Sequence, residues 1–81
     1  MYITTDTERH VTDIYPFIDG PEDAAISVRV TVSPLNRVWY DNGRFTPFTR
    51  EEVDQLKAAF DKAFEIVAER DAPQVQGQEE G

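Results

Sequence analysis

The sequence predicts an α+β domain: a three- or four-stranded antiparallel sheet with one C-terminal helix packed on one face. Three observations predict it. Residues 24–32, AAISVRVTV, alternate apolar and polar side chains, the period of a half-buried strand. Asn42-Gly43 is the strongest short hairpin signal. Residues 49–70, TREEVDQLKAAFDKAFEIVAER, repeat their apolar positions every three to four residues, the period of an amphipathic helix.

From the N-terminus, Met1 to Thr5 either add a short strand or fray. Residues 9–18, RHVTDIYPFI, read as a strand that Pro16 confines to a sheet edge, because proline cannot donate to a ladder on both sides. The DGPEDA loop separates it from the alternating strand, in which Ile26, Val28, Val30 and Val32 face one way and Ser27, Arg29 and Thr31 the other.

The next turn, SPLNR, sets the register of the strand pair. Pro34 suits the first central position of a type I turn and Asn36 tolerates the left-handed conformation of a bulge. A three-residue loop then makes paired positions sum to 70: Val32 faces Val38, Thr31 faces Trp39, Val30 faces Tyr40, and Arg29 faces Asp41. One face of the pair is apolar, and the other carries an opposite-charge pair. Tyr40 accordingly lies beneath the helix. Trp39 stands on the opposite face, near Arg29 and Arg37, unless Tyr2 and Ile3 or the segment around Phe17 fold over it. After Asn42-Gly43 the chain turns back, with Arg44 to Pro47 as a short edge strand that brings Phe45 to Tyr40 and Thr46 to Trp39.

Thr49 suits the N-cap of the helix, with Glu52 as its capping-box partner and Phe48 stapling against Val53. Val53, Leu56, Phe60, Ala63, Phe64 and Val67 form the expected core stripe. Pro73 stops the helix. Residues 71–81, DAPQVQGQEEG, hold one sizeable apolar group and read as a disordered acidic tail, leaving 1–70 as a single domain.

At 81 residues without cysteine, neither disulfides nor a zinc knuckle can staple so small a core, and packing or association must hold it. No signal peptide or membrane span is legible, so a cytoplasmic protein is expected. The net charge of −8 is uneven. Residues 1–50 carry five arginines against seven acids, a net −2, and residues 51–81 carry three cations against nine acids, a net −6. Such a field repels nucleic acid at long range.

No catalytic set is expected. His10 is the only histidine, and Ser27 and Ser33 are the only serines, whereas a nucleophilic relay needs three converging groups. Asp19, Glu22 and Asp23 gather carboxylates without the spacing of a calcium loop, and the four glycines form no phosphate loop. The sequence therefore points to a non-enzymatic protein-binding module with no cofactor and no metal. Short acidic single-domain chains without a catalytic set are common among accessory and phage-encoded inhibitor proteins, an analogy of composition and not of motif.

Two surfaces suit a partner. On the open sheet face, Trp39 with Arg29, Arg37, Arg44 and Thr31 combines residue types enriched at interface hot spots, and it serves either a larger host protein or a second copy of the chain. On the helix, Asp54, Asp61, Glu65 and Glu69 form an acidic stripe, with residues four apart rising about 6 Å along the axis. That spacing resembles the charges of a nucleic-acid strand and admits DNA mimicry, although Lys57 and Lys62 interrupt it and can pair with Asp61 and Glu65. The alternative class is a small nucleic-acid-binding module reading through the arginine and tryptophan face.

Overall fold

Short-range polar contacts punctuate the chain. At the first turn, Asp6 Oδ1 accepts hydrogen bonds from the backbone N–H of Glu8 at 3.1 Å and of Arg9 at 3.1 Å, and His10 closes the loop with φ of 60°. At the second, Asn36 N–H donates to Ser33 O at 3.0 Å, Ser33 N–H donates to Arg37 O at 2.8 Å, and Asn36 has φ of 62°. That is the three-residue loop read from SPLNR. Histidine and asparagine are among the non-glycine residues that most readily accept the left-handed region.

These turns belong to a computed structural model that describes residues 1–22, 27–41 and 48–71. Ile26, the Asn42-Gly43 turn, the Arg44–Pro47 strand with Phe45 and Thr46, and residues 72–81 lie outside the described residues. Strands β1 (Tyr2–Asp6), β2 (Val11–Tyr15), β3 (Arg29–Val32) and β4 (Val38–Asp41) form an antiparallel sheet in the order β1-β2-β3-β4, and helix α1 (Arg50–Asp71) packs against it. The expected α+β architecture is the one observed, with four strands.

The β3–β4 register matches expectation pair for pair: Arg29 with Asp41, Val30 with Tyr40, Thr31 with Trp39, and Val32 with Val38. The upstream strand differs. β2 is not an edge but lies between β1 and β3, since Thr12 pairs with both Thr5 and Val32. Pro16 follows the last ladder residue, Tyr15, so its missing N–H costs the sheet nothing. Met1–Thr5 supplies the outer strand, running from Tyr2 to Asp6.

Helix α1 begins as read. Thr49 N–H donates to Glu52 Oε1 at 3.0 Å, and Glu52 N–H donates to Thr49 Oγ1 at 3.1 Å, completing the capping box. The Phe48 ring packs against Phe17, with centroids 5.8 Å apart. The helix runs through Asp71, one residue past the expected boundary.

The core joins Ile14, Val30 and Val32 of the sheet to Ala59 and Ala63 of the helix, all fully buried, with Val38, Leu56, Phe60, Ile66 and Val67 around them. The expected stripe needs one correction: Phe64 is 60% exposed, and Ala59 and Ile66 supply core contacts in its place. The small Ala59 and Ala63 are fully buried in the core between helix and sheet. Phe64 lies about 100° around the helix from Ala63, beyond Phe60, which already reaches the last described strand through Tyr40 at 6.1 Å.

Candidate functional site

Alternation along the strands assigns the sheet face opposite the helix. Tyr2, Thr4 and Asp6 of β1, Val11, Asp13 and Tyr15 of β2, Arg29 and Thr31 of β3, and Trp39 and Asp41 of β4 share it through the paired registers. The aromatic and charged groups on this face organise one another. The Tyr2 and Tyr15 rings are 5.6 Å apart. Thr31 Oγ1 donates to Asp13 Oδ1 at 2.7 Å, and Arg29 Nη2 donates to Asp41 Oδ2 at 3.2 Å.

Arg29 sits at the centre of this arrangement. Hydrogen bonding with the Tyr15 side chain holds its guanidinium above the ordinary value; burial pulls the other way, and Asp13 and Asp41 add to the upward shift. A raised arginine stays charged through the whole neutral range, so its contribution to stability fades only in strongly alkaline solution. Its Nε is shielded and has no hydrogen-bond partner among the described residues.

The sequence-predicted site residues separate into different roles. Trp39 is 61% exposed. It is also uncovered by Tyr2 and Ile3, because β1 lies three strand spacings from β4, about 14 Å. Arg37 is exposed two residues before it, on the same face by alternation. Thr31, paired with Trp39 on the neighbouring strand, is buried with its hydroxyl committed to Asp13 and presents little surface. Arg29 is half-exposed but tied to Asp41. Arg44 lies outside the described residues.

Asp54, Asp61, Glu65 and Glu69 are all exposed along the solvent side of α1. Among the described residues, Asp54 pairs with Arg50 at 3.3 Å and Glu65 with Lys62 at 3.1 Å. His10 is exposed in the β1–β2 turn. Among the described residues no group of histidine and carboxylate side chains is placed to hold a metal, no cavity is found, and no helix is long and apolar enough to cross a membrane.

Sequence reasoning missed Tyr15 and Asp13. Both lie in a strand that Pro16 alone assigns to an edge, and with β2 beside β3 the pairing of Asp13 with Thr31 follows from register. Comparison with protein-family models, with curated proteins and with solved structures finds no match.

Proposed function

We propose that this chain is a non-enzymatic protein-binding module, an adaptor or inhibitor that docks a larger protein through its open sheet face with Trp39 as the anchor. The observation that carries this reading is an exposed tryptophan on a well-packed sheet. The chain's only indole is 61% exposed, it stands beside the buried Thr31, and the exposed Arg37 flanks it. Tryptophan and arginine on a rigid base are the types that dominate binding energy at interfaces.

The balance of charge favours protein over nucleic acid. On this face Arg29 and Arg37 are set against Asp6, Asp13 and Asp41, and Arg29 is neutralised locally by Asp41. A phosphate-binding face needs unpaired basic groups. Mimicry of DNA by the helix has less support, since Arg50 and Lys62 each neutralise a carboxylate of the stripe.

Capture from the native host extract by wild type and Trp39→Ala in parallel, beside a mobility-shift assay with duplex DNA at moderate salt, tests the reading. A partner held by wild type and weakened about thirtyfold or more by the substitution, equivalent to about 2 kcal/mol, supports it. Tight, salt-sensitive duplex binding instead assigns the face to nucleic acid.

A further inference from the structure

We propose that β1 is a self-pairing edge, through which two copies of this chain join antiparallel about a two-fold axis near Thr4 to form one continuous sheet. This edge lies at the opposite end of the sheet from Trp39, about 14 Å away, and does not depend on the function proposed for the tryptophan.

Among the described residues β1 is hydrogen-bonded on one side only, at the end of the strand order, so its outer edge presents a row of backbone donors and acceptors open to pairing. Natural edges are blunted by proline, lysine, a bulge or a covering element. Tyr2-Ile3-Thr4-Thr5-Asp6 has neither proline nor lysine. Its five residues pair with β2 in unbroken register from Tyr2–Tyr15 to Asp6–Val11, leaving no bulge. Ile3, Thr4, Thr5 and Asp6 are all exposed, and the helix lies over β2, β3 and β4. The strand is also rich in aromatic and β-branched residues, which favour pairing.

A self-complementary register selects a second copy as the occupant, and the charge distribution permits it. At net −8, two chains can approach only where the acid is not, and the exposed carboxylates of α1 point away from the sheet. Tyr2 to Thr5 are uncharged. A two-fold axis at Thr4 sets Ile3 of one copy opposite Thr5 of the other, and Asp6 opposite Tyr2, so no like charges meet in register. The pairing also covers Ile3, which is 40% exposed. A five-residue strand spans about 17 Å, and the strip it covers falls short of the roughly 1,600 Å² of a standard interface. The dimer is therefore concentration-dependent.

Sedimentation equilibrium of wild type, Ile3→Lys, Thr4→Lys and Trp39→Ala, from micromolar to about 1 mM, tests the proposal, with circular dichroism to verify folding. Wild type and Trp39→Ala should shift from monomer towards dimer as concentration rises, with each folded lysine variant at least tenfold weaker in association. Thr4→Lys decides the matter if Ile3→Lys fails to fold. A monomeric wild type at every concentration overturns the proposal. So does a dimer that persists in Thr4→Lys, or one that Trp39→Ala alone abolishes, which would move self-association to the Trp39 face.

Discussion

Arg70, in the last turn of the helix, donates from Nη1 to Asn36 Oδ1 at 3.1 Å, across 34 residues of sequence. The same nitrogen reaches Ser33 O at 2.8 Å, while Nη2 reaches His10 O at 3.2 Å and Thr12 Oγ1 at 3.3 Å. One guanidinium thus ties the end of α1 to the β1–β2 and β3–β4 turns, at His10 and Asn36, which among the described residues have left-handed backbone. The cation also sits where the helix dipole is negative.

Replacing Arg70 with alanine should cost about 2–3 kcal/mol, since two turns lose a charged donor while their half-buried acceptors remain. Arg70→Lys should recover less than half of this, because a single ammonium lacks the fork that spans both turns. Urea midpoints measure both variants. An unchanged midpoint for Arg70→Ala would show that the clamp carries no stability.

Asn36 contributes through its backbone as well as its side chain. Asn36→Ala and Asn36→Gly both lose the amide oxygen, but only alanine meets the left-handed penalty, so the alanine variant should be less stable by about 1 kcal/mol. Thermal melts of the pair decide it, and equal stability would mean that the turn relaxes out of the left-handed region.

At the other end of the helix, Thr49→Ala removes the side-chain acceptor of the capping box and should cost about 1 kcal/mol. Chemical denaturation reads this directly. No change in the midpoint would show that water substitutes fully for the Thr49 hydroxyl.

Ile14 and Phe64 separate core from surface. Ile14→Ala should cost about 2–5 kcal/mol, because Ile14 is fully buried between sheet and helix. Phe64→Ala should stay within about 0.5 kcal/mol. A large loss for Phe64→Ala would restore it to the core stripe that helical periodicity alone suggests.

The features legible in the sequence are those whose determinants sit close together. The Ser33–Arg37 loop and the Thr49–Glu52 box each lie within five residues, so turn chemistry and capping rules reach them, and the β3–β4 register follows from the loop length. The Arg70 clamp was not legible, because its acceptors are 34 to 60 residues away and a C-terminal arginine reads as a dipole partner alone. The placement of β2 turned on whether Pro16 falls inside the ladder or one residue after it, a boundary finer than pattern resolves. Phe64 fits the helical period as well as Phe60 does. What excludes it is the position of the helix over the sheet, set by Ala59 and Ala63. At the candidate site, the face on which Trp39 stands follows from register, whereas its exposure depends on where the N-terminal strand lies, and the commitment of Thr31 to Asp13 requires β2 to be placed first.

Because Trp39 is the only tryptophan, intrinsic fluorescence reports on it without interference, and acrylamide quenching of the free protein tests most directly whether the open face presents an anchor. The account predicts a red-shifted, solvent-like emission, quenched nearly as efficiently as a free indole. A blue-shifted emission shielded from acrylamide would place Trp39 in the interior and contradict both the strand register and the binding face built on it.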